Sequence, residues 1–187
     1  MRTAALRLLP FILAGAFAHP ALADFKVRSA APFIEDRVVH INTQLDLTLN
    51  PKTEEALNKG IPLEVVFDIK LVKHRWWWTN KVITDSTFRR RIFFHALSRQ
   101  YLVTGLSEFD PTESFSSLSQ ALAHMGDLTE LTKPLTPKKQ IEPDGRYLVT
   151  LRARLDIEAL PTLMRPLAYA SLSWHLSTGW NEWPVQP

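Results

Sequence analysis

Between Leu63 and Leu71 every second residue is apolar: Leu63, Val65, Phe67, Ile69 and Leu71 alternate with Glu64, Val66, Asp68, Lys70 and Val72. A period of two fits a half-buried β-strand, whose successive side chains point to opposite faces, and does not build the apolar stripe of a helix. The rhythm recurs at Val39, Ile41, Thr43, Leu45, Leu47 and Leu49, against His40, Asn42, Gln44, Asp46 and Thr48. It returns at Tyr147, Val149, Leu151, Ala153 and Leu155. The chain therefore reads as mainly β, with Val39 to Leu49 as one long strand.

The intervening segments fill in the expectation. Phe25 to Phe33 reads as a first strand, with Glu35-Asp36-Arg37 as the turn after it. Asn50 and Pro51 open a short polar connector helix as N-cap and first helical residue, and Gly60 lies just past its end. Extended segments run from Lys81 to about Leu97 and from Gln100 to Thr104, joined at Ser98-Arg99. Phe115, Leu118, Ala121, Leu122 and Met125 fall at helical spacing with Gly126 as terminator, which predicts one amphipathic helix on a sheet. Leu128 to Pro143 reads as a loop with one edge strand, and Asp144-Gly145 as a hairpin turn. Leu160-Pro161 begins a short helical or irregular connection limited by Pro166. Ala170, Leu172, Trp174 and Leu176 are read as the last strand, with Trp174 in the core. Trp180 and Trp183 either clamp the tail against the sheet or extend an exposed aromatic surface. About seven strands and one real helix favour a β-sandwich, of which the immunoglobulin-like arrangement is one form, over a closed barrel.

The N-terminus has its own logic. Arg2 and Arg7 precede an apolar run from Leu8 to Ala18 and an A-x-A signal at Ala21-Leu22-Ala23, which together read as a cleaved secretory signal peptide over residues 1–23. The run falls well short of the roughly 20 residues needed to span a bilayer. A single domain over residues 24–187, periplasmic or secreted and without a transmembrane span, is expected. The chain carries 22 Lys+Arg and 19 Asp+Glu. Loss of Arg2 and Arg7 brings these nearly into balance, so charge gives no reason to expect a nucleic-acid partner. Cysteine is absent, which removes disulfides and thiolate chemistry and leaves stability to the core.

No nucleophile elbow, metalloprotease motif or phosphate-cradling glycine loop occurs in the sequence. His40, His74, His95, His124 and His175 are far apart and form no close ligand pair. Glu35-Asp36 and Glu54-Glu55 are neighbours whose side chains diverge, and Glu108, Asp110 and Glu113 suit a helix N-terminus. The sequence therefore nominates no catalytic residue, no cofactor and no metal site.

What remains is a cluster of aromatic and basic residues. Arg75 precedes Trp76, Trp77 and Trp78, and Arg89-Arg90-Arg91 follows at hairpin distance. Carrying the inward series of Leu63 to Leu71 forward puts Trp77 inside and Trp76 and Trp78 on the opposite face. Pairing across the tryptophans would set the arginines opposite Ile69 to Leu71, with Arg89, Arg91, Phe93 and His95 on one face and Arg90, Ile92, Phe94 and Ala96 on the other. The candidate surface is Arg75, Trp76, Trp78, Arg89, Arg90 and Arg91, where guanidinium stacked on indole would contribute about 0.5–2 kcal/mol per pair. It would suit an anionic, sugar-containing or extended peptide ligand. The competing structural reading, that arginine stems cover aromatic residues and charge protects a sheet edge, carries more weight. A membrane-interface belt has less support, because no basic amphipathic helix accompanies it.

Several segments resemble a family of bacterial exported proteins grouped as a domain of unknown function, DUF4390, and sometimes called proline-rich signal-peptide proteins. These are Arg75-Trp76-Trp77-Trp78, Phe115-x-x-Leu118-x-x-Ala121-Leu122, Tyr147-x-Val149-x-Leu151-Arg152, Leu160-Pro161, and Trp174-His175-Leu176-Ser177 with Trp180 and Trp183. The resemblance covers essentially the whole chain after residue 23. It implies a Gram-negative periplasmic or secreted location and, by association with nitrogen-regulation-type sensor histidine kinases, an accessory role in envelope sensing. It brings no catalytic residue to carry over. The expected function is a non-catalytic exported protein that binds a partner protein or envelope ligand. The alternatives are a carbohydrate or peptidoglycan-binding module and a hydrolase with a dispersed site.

Overall fold

The computed structural model describes residues 24–75, 80–105, 111–129, 131–135, 141–142 and 144–186. The signal peptide expected over residues 1–23 lies outside them, as do Trp76, Trp77 and Trp78. In chain order the strands and helices are β1 (Phe25–Ala30), β2 (Phe33–Glu35), β3 (Val38–His40), β4 (Thr43–Leu47), α1 (Pro51–Asn58), β5 (Leu63–Lys73), β6 (Lys81–His95) and β7 (Gln100–Gly105). They continue with β8 (Glu113–Phe115), α2 (Leu118–Gly126), β9 (Thr132–Pro134), β10 (Tyr147–Leu155), α3 (Arg165–Ala170) and β11 (Asn181–Val185).

The alternating series become antiparallel sheets in a mainly β, sandwich-like arrangement. A six-stranded sheet has the order β11-β10-β5-β6-β7-β8, β1 pairs with β4, and β2-β3-β9 form a small third sheet. The odd-numbered apolar residues of β5 point inward and join Phe25 of β1, Leu45 and Leu47 of β4, Met125 of α2 and Val149 of β10 in one core. Val66 and Glu64 are buried on the opposite face of β5, where the simple alternation leads one to expect solvent.

Local chemistry explains most boundaries. The β2–β3 turn is two residues long, with Asp36 and Arg37 both at positive φ, the twist that matches a tight hairpin. Asn50 caps α1 by accepting hydrogen bonds from the Lys52 and Thr53 amides, and Pro51 occupies the first turn. Ser117 caps α2 through the Gln120 amide. Lys133 of β9 pairs opposite Val39 of β3, which places the expected edge strand. Among the described residues no helix is long and apolar enough to cross a membrane.

Several expectations are corrected. The series from Val39 to Leu49 is two strands, not one: Asn42 adopts φ 38° and turns the chain from the small sheet into the β1–β4 pair. Leu172 is 88% exposed, and Leu172–Trp174 form a 3₁₀ turn in place of the last strand, although Trp174 and Leu176 are buried. The last strand is β11, whose Trp183 and Val185 lie opposite Val149 and Tyr147. Pro184 is tolerated there because β11 is an edge strand. The connection after Leu160-Pro161 takes the helical form, but Pro166 stands in the first turn of α3 and not at its limit. The Gly145 amide closes a turn on the Glu142 carbonyl, but β10, which follows, pairs with β5 and β11, so this is no hairpin. With eleven strands among the described residues, the expected count of about seven was too low, while the connector helix and the amphipathic helix expected from the sequence are α1 and α2.

Candidate binding surfaces

β5 ends at Lys73, which pairs with Lys81, so the strand stops short of the tryptophans. This earlier end moves the register. Arg89, Arg90 and Arg91 lie opposite Val66, Val65 and Glu64, not opposite the Ile69 to Leu71 segment. Arg75 is at the far end of the sheet, about 25 Å from Arg89 at strand spacing. The four described candidates are not brought together, since Arg75 lies far from the arginine run and the three arginines of the run separate by face; Trp76 and Trp78 lie outside the described residues.

The face assignment within β6 holds. Arg89 and Arg91 project from the outer face and clamp Glu64, whose side chain is only 4% exposed. Arg91 donates from Nε and Nη2 to Glu64 Oε2 at 3.3 and 3.1 Å, and Arg89 Nη1 stands 3.5 Å from Oε1 and 3.7 Å from Asp156. Arg90 turns inward, where its Nη1 donates to the carbonyl oxygens of His124, Met125 and Asp127 at the end of α2. Each arginine of the run thus has partners within the fold.

Further along the same outer face a second charged group surrounds Asp68. Arg152 Nη2 donates at 2.7 Å, Arg154 Nε at 3.3 Å and Thr87 Oγ1 at 3.1 Å. Burial would raise the Asp68 carboxyl, but the hydrogen bonds from Arg152 and Thr87 and the charge of Arg154 outweigh it and hold it below its ordinary value. A depressed carboxyl contributes stability that is complete above its unfolded value and lost as pH falls through its folded value. Asp68→Asn is accordingly expected to cost about 1–2 kcal/mol at neutral pH. The difference from wild type should close below about pH 4, as read by urea unfolding across pH. A difference that did not shrink as the pH fell below about 4 would show that geometry, not charge, sets the effect.

Trp180, which sequence reading left between two roles, is 42% exposed beside this group. Lys70 Nζ sits 4.4 Å and the Arg152 guanidinium 4.7 Å from its ring. An aromatic and basic pairing of the kind expected at Trp76 and Trp78 is thus seen at Trp180. The signal was the alternation of β10, which sends Arg152 outward, but nothing in the sequence tied it to Trp180.

The other feature is a groove of about 670 Å³ between β4 and α2. It is lined by Leu45, Leu47 and Leu49 on one side and Leu118, Leu122 and Ala123 on the other, with Arg28, Asp46, Glu54 and Asp127 around it. α2 can approach β4 because its last residue is Gly126: a Cβ there would stand 2.3 Å from the Leu45 carbonyl oxygen. No group of three or more His, Asp or Glu side chains among the described residues is close enough together to hold a metal ion.

These features define a mainly β, sandwich-like fold with a groove between β4 and α2 and a charged outer sheet face. The chain belongs to the family described as a domain of unknown function, DUF4390, whose family model matches residues 23–184. No curated protein and no solved structure matches it.

Proposed function

We propose that the protein is a non-catalytic exported component of the cell envelope that binds a partner protein, as an accessory to an envelope sensor histidine kinase. The observation that carries this reading is the groove between β4 and α2, about 670 Å³ in volume, whose lining mixes leucines with charged and polar side chains. Export is supported by the basic, apolar and A-x-A order of residues 2–23. The kinase assignment rests on the company the family keeps.

The test places a photo-crosslinking residue at Ser119, on the groove, or at Asp85, on the outer sheet face, in protein expressed in its own envelope. The expected result is a crosslinked membrane kinase from position 119 and none from position 85. A protein that elutes alone from both positions overturns the reading. Trp180 favours a second reading, a carbohydrate or peptidoglycan-binding face, because an exposed indole flanked by cations suits a sugar or an acidic glycan. Tryptophan fluorescence with cell-wall fragments checks it: a shift in wild type that disappears in Trp180→Phe supports glycan binding, and an unchanged spectrum removes it.

A further inference from the structure

We infer that the groove takes its partner as an added β-strand, an extended segment bearing lysine or arginine that pairs with the free edge of β4; this rests on the partner-binding reading above. The first support is the direction of the β4 backbone. The Asn42 carbonyl accepts from Ala31 on the β1 side, whereas the Ile41 amide donates to Leu131 and the Thr43 carbonyl accepts from Leu128 on the other side. Backbone groups of a strand alternate between its two edges, so those of Leu45 and Leu47 point the same way as those of Ile41 and Thr43.

That side lacks a second strand. Among the described residues β4 pairs with β1 alone; on the opposite edge Asp127 bridges Gln44 and Gly126 packs on the Leu45 carbonyl, so the part of the edge that stays open is at Leu47. Past Gly126 the helix and the strand diverge into the groove, which Leu47 lines. An extended chain entering there continues the line that residues 127–128 begin against Gln44 and Thr43. Its backbone would satisfy the β4 edge, and its alternate side chains would meet Leu118 and Leu122. A helix satisfies its own backbone and would leave that edge unpaired.

Charge selects among extended segments. The groove lining has three carboxylates, Asp46, Glu54 and Asp127, against one guanidinium, Arg28. Arg28 lies 3.6 Å from Asp46. The remaining excess is negative, and it favours a cationic segment. Among the described residues no lysine lines the groove, although lysine is a common device for discouraging strand addition at an open edge.

The test pans a library of random ten-residue peptides against the purified chain lacking residues 1–23. Enriched peptides should alternate apolar residues and carry lysine or arginine. For the best of them, N-methylation of alternate amides on the edge facing β4 should weaken binding about tenfold or more. Binding should also slow hydrogen exchange at the Leu47 amide, and Ser119→Arg, an exposed change that fills and recharges the groove, should weaken it by a similar factor. No enrichment, enrichment of helical or acidic peptides, or indifference to N-methylation and to Ser119→Arg overturns strand addition. If the crosslink at position 119 still captures the kinase, partner binding stands while this mode of binding falls; if that crosslink also fails, both fall.

Discussion

Replacing Gly126 with alanine is expected to lower the unfolding midpoint by roughly 4–12 °C, a cost of about 2–3 kcal/mol. The glycine is the last residue of α2, and the added methyl would meet the Leu45 carbonyl oxygen at 2.3 Å and its carbon at 3.1 Å. Both are backbone atoms of β4, so no side chain can rotate away to make room. The backbone of Gly126 is not left-handed, and alanine at a helical position would otherwise gain up to about 1 kcal/mol. Steric conflict must exceed that gain. Gly60 supplies the opposite case: it has φ 84° and open space around its missing Cβ. Gly60→Ala should therefore cost about 1–2 kcal/mol through conformation alone. Thermal unfolding of the two variants separates the causes. A Gly126→Ala protein as stable as wild type would show that α2 and β4 are less tightly apposed, and the groove they frame would lose its definition.

Arg90→Met is the second large effect, at about 2–4 kcal/mol. One guanidinium nitrogen serves three carbonyl oxygens, those of His124, Met125 and Asp127, at 2.8, 3.0 and 2.9 Å. The carbonyls at the end of a helix lack intrahelical donors and carry the negative end of its dipole, so a cation there answers both needs. Methionine keeps the apolar stem and removes the donor. Arg90→Lys should recover part of the loss, since an ammonium supplies charge but not the same fork of donors. Urea unfolding measures the cost, and hydrogen exchange in α2 locates it: amides of residues 121–126 should exchange faster than those of β5. Equal stability of wild type and Arg90→Met would mean that water replaces the arginine without loss.

The helix and its caps were legible because their signals are local. Asn50 and Pro51 at the start of α1, and the spacing of Leu118, Ala121, Leu122 and Met125 in α2, act within a few residues of where they are read. The corner at Asn42 was hidden for a physical reason. Val39, Ile41, Thr43, Leu45 and Leu47 are all buried, so side-chain alternation passes through the corner undisturbed while the hydrogen-bonding partners change. Alternation reports which face a side chain takes and is silent about which strand lies alongside. Register failed for a different reason: carrying the inward series from Leu63 to Leu71 on to Trp77 passes over Lys73 and Arg75, which occupy the next two inward positions and mark where it stops. Moving that end brought the arginines to Glu64, whose burial among outward positions no periodicity announces. The groove was illegible because its walls are ordinary leucines. Its character comes from a backbone edge that β4 leaves unpaired by another strand, a property of topology rather than of any residue type.

The position of β10 has a kinetic consequence. It pairs with β5 across 74 to 90 positions of sequence, from Lys73 opposite Tyr147 to Val65 opposite Leu155. The β5–β6 and β6–β7 hairpins can form early, since their closures are short, but the middle of the sheet must wait for a distant stretch of chain. A chain halted before Tyr147 would hold eleven residues of β5 as an open apolar edge, prone to pair with another molecule. Late residues thus complete the interior that early residues begin, and a folding time toward the millisecond-to-second end of the scale follows from this ordering.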